Sequence, residues 1–287
     1  MKPAAFKYHD PRTTGDLVGL LATLENTKLL AGGQSLGPML NFRLVAPDHL
    51  IDLNKIDELA YIRASDGILD IGAMTRQRAL ERSAEIERTC PLLKEALRFV
   101  GHFQTRNRGT LGGSLCHLDP AAELPGLCAL YDAEFTVTGP HGERTVPMDQ
   151  WGVSFMTPDV GMSEVLTRVR LKPWVERHGR AFLEMARRHG DFAIAGVACL
   201  VALDGAGKVS RAAISLVGVA HAPVRLTAAE RWLIGCRIDA EAIAAVAAEV
   251  NKIDAIDDAH VSAGYRKRIA GVLAGRALQQ AQIGAQP

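Results

Sequence analysis

What the chain lacks narrows it first. It has no CxxC pair: five cysteines, Cys90, Cys116, Cys128, Cys199 and Cys236, stand singly along 287 residues. That excludes an iron–sulfur cluster or structural zinc built from this chain alone. It fits reduced, mostly buried thiols in a reducing compartment. There is no excess of charge either. Thirty-three Lys and Arg against 32 Asp and Glu leave a net +1, so no basic field recommends nucleic acid or an anionic membrane as partner. Long apolar runs are missing too. FAIAGVACLVAL (192–203) is the longest; it is too short to cross a bilayer and reads as a buried strand. MKPAAFKYHDPR at the amino terminus has no apolar core of signal-peptide type, and a cytoplasmic location is expected.

Catalytic signatures are absent as well. No G-x-S-x-G elbow, H-E-x-x-H pair or G-x-x-x-x-G-K-[ST] phosphate loop occurs. Among the nine histidines, His117 stands two residues before Asp119, but no third ligand has suitable spacing. Neither a catalytic residue nor a metal site is expected here.

What is present is a repeated use of paired glycines inside an α+β pattern. TTGDLVGLLATLE (13–25) has a Thr cap and helically spaced apolar residues. KLLA (28–31) and HLIDLNKI (49–56) read as strands, so residues 1–56 form a strand–helix–strand unit with a glycine loop at a strand end. AYIRASDGILDIGAMT (60–75) is a hairpin turning on Asp66-Gly67. Helices are expected around 75–85, 91–100 and 124–131, then a hairpin at GPHGE (139–143) and a strand over EVLTRVRL (164–171). KPWVERHGR (172–180) breaks the pattern and marks a domain boundary. Beyond it lie three strands, AFLEMAR, FAIAGVACLVAL and AAISLVGVA, and two or three closing helices.

The glycine pairs sit in KLLAGGQSLGP (28–38) and RNRGTLGGSLCHLDPAAELP (106–125). Adjacent glycines raise the entropy cost of folding, so something there requires bare backbone. One explanation is a tight turn; the other is close approach of backbone N–H groups to an anion. Taken together, the two loops suit one extended diphosphate held through backbone N–H groups. Arg106 and Arg108 either steer an anion or form a solvated loop face. Glu123 is either a working acid or a helix-terminal dipole partner, and His102 reads as a packed neighbour of Phe103.

AGGQSLGPMLNFRLVAPDHLIDLNKI and RNRGTLGGSLCHLDPAAELP resemble the two flavin-binding signatures of the FAD-binding medium subunit of molybdenum hydroxylases. That family includes xanthine dehydrogenase, aerobic carbon monoxide dehydrogenase and N-heterocycle dehydrogenases. The resemblance spans essentially the whole chain, with RRHGDFAIAG (187–196) opening the carboxyl-terminal part. It implies an α+β fold: a two-part FAD-binding domain of the PCMH type over 1–175 (subdomains about 1–57 and 58–175), then an α+β domain over 176–287 with a three-stranded sheet plus helices. It also implies that Ala31, Gly32, Gly33, Gln34, Ser35 and Leu36 cradle the FAD diphosphate through backbone amides. Thr110, Gly112, Gly113 and Ser114 would close over the other side of the diphosphate and the ribityl chain. Glu123 and its neighbour Asp119 would contact ribityl or ribose hydroxyls, and Leu166 would pack near the flavin or adenine. Two departures stand out: Phe182-Leu183-Glu184 lies where relatives often have a lysine, and Ser114 replaces a common asparagine.

By the same resemblance the chain is an electron-transfer subunit. A small partner would hold two [2Fe-2S] clusters and a large partner the molybdopterin cofactor, in a dimer of heterotrimers. RNRGTLGGSL and RRHGDFA are similar to N-heterocycle-type relatives, which points to a heteroaromatic substrate at the large subunit. The alternatives are the medium subunit of an aerobic carbon monoxide dehydrogenase and a self-sufficient flavin oxidoreductase of the same superfamily. A flavin-free scaffold, its glycine segments only turns, is the reading from another class.

Overall fold

A computed structural model of the chain describes residues 2–286; Met1 and Pro287, the outer ends of the expected domain spans, lie outside the described residues. The first unit consists of β1 (Lys7–His9), α1 (Thr14–Thr23), β2 (Thr27–Leu30), α2 (Leu36–Asn41) and β3 (His49–Asp52). Its strands lie in the order β1-β3-β2, both pairs parallel. Thr13 caps α1 by accepting from the Asp16 N–H, and Leu17 and Leu21 pack that helix into a core with Ile51 and Leu53. Gly32 and Gly33 therefore leave the carboxyl end of a parallel strand, where open α/β sheets bind ligands.

The second unit opens with β4 (Ile62–Ser65) and β5 (Ile68–Gly72), the hairpin expected on Asp66-Gly67. Both turn residues have positive φ, 52° and 74°, as a type I′ turn requires. A helical run follows: α3 (Gln77–Arg82), α4 (Ala84–Thr89), α5 (Pro91–Leu97), α6 (Phe103–Arg108), α7 (Leu111–His117) and α8 (Glu123–Leu130). The single helix expected over 75–85 is divided, because Ser83, extended at ψ 125°, ends α3 and caps α4 through the Ile86 N–H. Next come β6 (Glu134–Gly139), β7 (Gly142–Pro147), α9 (Met148–Trp151), β8 (Gly152–Ser154), β9 (Thr157–Pro158) and β10 (Val165–Leu171). β10 inserts between the two hairpins, giving an antiparallel sheet in the order β4-β5-β10-β6-β7.

The second glycine-rich segment departs from expectation. It is no loop beside a strand but the junction of two helices, α6 and α7. Three glycines, Gly109, Gly112 and Gly113, disfavour helix by propensity. Here the Thr110 hydroxyl caps α7 by accepting from the Gly113 N–H at 3.0 Å, and burial of Leu111 and Leu115 overrides the propensity.

The last unit holds β11 (Gly179–Met185), β12 (Ala195–Leu203), β13 (Val209–Val217), β14 (Val224–Arg225), α10 (Thr227–Leu233), α11 (Ala240–Asn251) and α12 (Ala263–Ala285). The three expected strands are extended by the two-residue β14 at the edge, in the antiparallel order β11-β12-β13-β14. β12 serves two cores, which explains its unbroken apolar sequence. Val197, Cys199 and Val201 pack with Val246, Leu278 and their neighbours on α11 and α12. Ala198, Leu200 and Ala202 join a core with Leu93, Leu127 and Trp151. Among the described residues no helix is long and apolar enough to cross a membrane.

Candidate cofactor-binding site

A cavity of about 1160 Å³ is walled by the β2–α2 connection, the α6–α7 segment, β10 and the β11–β12 connection. Small-molecule sites usually measure about 300–1,000 Å³, so this one suits a long ligand. Every expected site residue lines it: Ala31, Gly32, Gly33, Gln34, Ser35 and Leu36 on one wall, and Thr110, Gly112, Gly113, Ser114, Asp119, Glu123 and Leu166 on others. Two segments about eighty residues apart are thereby joined in one site.

The glycines do different things. Gly33 has φ +71°, a left-handed conformation that costs an L-residue about 1–2 kcal/mol. Gly32 is needed for close approach: a Cβ there would stand 2.3 Å from the Arg108 carbonyl oxygen and 2.7 Å from Gly109 Cα. At Gly113 it would stand 2.7 Å from Thr110 Oγ1 and 3.3 Å from Ala31 Cβ. The two glycine segments are thus packed directly on one another.

The first segment presents the longer run of free amides. Among the described residues the N–H groups of Gly32, Gly33, Gln34 and Ser35 donate to no acceptor. In the second segment Leu111 N–H donates to the Thr75 carbonyl at 3.0 Å, Gly112 to Ala73 at 2.8 Å and Ser114 to Thr110 at 3.3 Å. Gly113 is engaged by its cap. The first segment therefore offers the longer run of free amides, and the second adds the Thr110 N–H to a close-packed wall carrying the hydroxyls of Thr110 and Ser114. Free N–H groups facing a long cavity, beside a glycine at positive φ, form a cradle for an extended anion, and a dinucleotide diphosphate fits it.

Comparison with known proteins agrees. The model for the FAD binding domain in molybdopterin dehydrogenase matches residues 4–174. That for the CO dehydrogenase flavoprotein C-terminal domain matches residues 180–281. The chain belongs to the FAD-binding subunits of molybdopterin dehydrogenases. It is 40% identical, over 100% of its length and 98% of the relative, to the 6-hydroxypseudooxynicotine dehydrogenase complex subunit alpha of Paenarthrobacter nicotinovorans. The carbon monoxide dehydrogenase of Hydrogenophaga pseudoflava, solved in a form lacking the Mo-pyranopterin moiety, contains a chain with TM-score 0.96 and 37% identity, each chain covered in full. Quinoline 2-oxidoreductase from Pseudomonas putida 86 gives TM-score 0.95 and 34% identity over 99% of each chain. This FAD-binding subunit is accordingly part of an oxidoreductase of the molybdenum hydroxylase family.

Two polar residues of the flavoprotein escape sequence reasoning. Asn54 Nδ2 donates to the Ala31 carbonyl at 2.9 Å, and its Oδ1 accepts from Arg76. Arg76 also donates to the Arg108 carbonyl. Together they staple the β2–α2 connection to the α6–α7 segment. Asn54 carries a faint signal, since its N–H donates to Asp52 Oδ1 at 2.9 Å in an Asx turn; Arg76 carries none. Arg106, by contrast, steers no anion. It is 8% exposed and donates to Glu81 at 3.1 Å and to the Val100 carbonyl at 3.0 Å. Arg108 stays exposed.

Charge on the remaining wall is subdued. Asp119 Oδ1 accepts from the Ala121 N–H at 2.8 Å, so the carboxylate is half-engaged in its own turn. Burial pushes the Glu123 carboxyl up to about 7, reinforced by the charge of Asp119. Burial also pushes the Cys116 thiol on the same wall up to about 12, which removes the thiolate a cysteine tether would require. Leu166, 3% exposed, presents an apolar surface just before the register shift that separates it from Arg168 in the β10–β6 pairing.

Proposed function

We propose that this chain relays electrons from two [2Fe-2S] clusters in a small partner, through its FAD, to an external acceptor. The assembly is a cytoplasmic dimer of heterotrimers whose large subunit hydroxylates an N-heteroaromatic compound at its molybdenum cofactor. The observation that carries the cofactor site is the run of unengaged N–H groups from Gly32 to Ser35 on the wall of a dinucleotide-sized cavity. Gly33, Gln34 and Ser35 hold the diphosphate. Thr110, Ser114 and Glu123 meet hydroxyls of the polyol chain, and Leu166 provides apolar wall. Asn54 and Arg76 hold the two glycine segments in register. FAD supplies the redox chemistry when bound, and the protein supplies geometry and electrostatics.

The relatives' names support the wider reading. They cover 6-hydroxypseudooxynicotine, quinoline and carbon monoxide, and the first two contain nitrogen heteroaromatic rings. The likeness to the carbon monoxide enzyme keeps that substrate as the second reading. Five free cysteines support the cytoplasm. In the decisive experiment, the isolated chain loaded with FAD is bleached by dithionite but not by nicotine- or quinoline-type substrates. Adding the small and large subunits restores bleaching by substrate. Rapid bleaching by substrate without partners would instead make the chain a self-sufficient oxidoreductase.

A further inference from the structure

Gln77 opens α3 on the wall of the cofactor cavity and is only 5% exposed. Its backbone is tied to the second glycine segment, the Gln77 N–H donating to the Gly109 carbonyl at 2.9 Å. Its side-chain amide packs on the same glycine. A Cβ on Gly109 would stand 2.5 Å from Gln77 Oε1 and 3.2 Å from Nε2. Gly109 in turn meets the first segment, since a Cβ on Gly32 would stand 2.7 Å from Gly109 Cα. Gln77, Gly109 and Gly32 therefore form one continuous contact, which brings the amide to the part of the cavity where the free N–H groups begin.

The protein itself leaves this amide without partners. Oε1 is buried with no hydrogen bond, an arrangement that native interiors avoid. Among the described residues Nε2 donates to no acceptor either, yet it is not closed off as Oε1 is, so it keeps access to the cavity. Neighbouring polar groups are engaged elsewhere. Arg76 donates to Asn54 and to the Arg108 carbonyl, and the Thr75 hydroxyl to the Tyr61 carbonyl at 2.9 Å. An apolar side chain of the same size would pack on Gly109 and leave no orphan, so packing does not account for an amide here. With no protein partner at either end, its orientation is set by what enters the cavity. Against an anion the donor end turns outward, and Oε1 rests on the Gly109 Cα with only a weak C–H contact.

We propose that Gln77 is a cofactor-binding residue whose Nε2 donates to a phosphate oxygen of the FAD diphosphate. It adds one side-chain donor to the backbone cradle that runs from Gly32 to Ser35. The arrangement also gives Gly109 a purpose, because any side chain there would meet the Gln77 amide first and displace it. A neutral donor suits the position. Arg76, the preceding residue, already brings a half-buried positive charge, and an amide adds a hydrogen bond to the phosphate without burying a second cation.

The inference rests on the FAD-binding reading, and its test separates the two. Phosphorus NMR of the full chain saturated with FAD reads the diphosphate directly. Flavin fluorescence titration gives the dissociation constant, and thermal melts of the ligand-free chain follow the fold. Gln77→Met should move one of the two bound phosphate resonances and weaken FAD about tenfold. Its ligand-free melting temperature should equal or exceed that of wild type, since the orphaned Oε1 is gone. Gln77→Glu keeps the shape and sets a carboxylate against the dianion, so its loss should be larger, about a hundredfold. Phosphate resonances that stay in place in the FAD-loaded variants, or a Gln77→Met dissociation constant equal to wild type, overturn the inference alone. So does a loss of affinity that both variants share equally and that tracks a lowered melting temperature, which would make Gln77 a packing residue. A wild-type chain that shows no bound FAD phosphorus signal overturns the functional reading and the inference with it.

Discussion

At the residue scale, the glycines of the site divide sharply by what a side chain would meet. Gly32 faces backbone at 2.3 Å, and backbone cannot swing aside as a side chain does. Gly37, the second residue of α2, has nothing within 4 Å of its Cβ position. Gly32→Ala should therefore yield protein that has lost most of its FAD, whereas Gly37→Ala should keep it and gain about 0.5–1 kcal/mol from helix propensity. Flavin absorbance and urea midpoints of the purified pair decide this. Asn54→Ala removes the link between Ala31 and Arg76, and should weaken FAD binding about tenfold, as loss of a buried hydrogen-bond partner costs about 1–3 kcal/mol. Isothermal titration of the stripped protein measures it.

Glu184, half-buried on β11, also leaves a residue-scale mark on stability. A carboxyl whose folded pKa lies above its unfolded value stabilises fully below that unfolded value, and the contribution is lost as pH rises through the folded one. For Glu184 the window runs from 4.5 to about 8. Wild type should lose stability across it relative to Glu184→Gln, as urea midpoints at successive pH values will show. Parallel curves would mean that Glu184 is solvated and charged throughout.

At the scale of elements, legibility in the sequence followed the range of the interactions involved. The hairpin at Asp66-Gly67 was readable because its turn chemistry is local. The strand FAIAGVACLVAL was readable because both its faces are buried. α6 and α7 were not, since their stability comes from a cap at Thr110 and from Leu111 and Leu115 reaching a core built by other segments. The site residues were legible through two long motifs, yet the division of labour between them was not. It depends on which amides are already engaged, and the acceptors, the Thr75 and Ala73 carbonyls, belong to another element. Asn54 and Arg76 stayed hidden for the same reason. If the cap matters as the geometry indicates, Thr110→Val should cost about 1 kcal/mol of stability and lower flavin occupancy, both readable from thermal melts with and without added FAD.

At the scale of the whole molecule, the carboxyl-terminal unit is more than an appendage. Phe182, Leu200 and Ala213 belong to the same core as Leu93, Leu127 and Trp151, and the Gly218–Pro120 bond ties the sheet to the approach of α8. A fragment ending near residue 174 would expose that core face, so it should aggregate or fail to retain FAD. Gly126→Leu, driven into Val217, should lower the melting temperature of the full chain without splitting its transition. All of this rests on FAD occupying the cavity between the glycine segments. The most direct measurement is the FAD content of the purified full-length chain after saturation and gel filtration, taken for wild type beside Gly33→Val. About one FAD per wild-type chain, with the folded variant nearly colourless, is the expected result; a wild-type chain that takes up no flavin, or a variant that binds it equally well, would contradict the assignment.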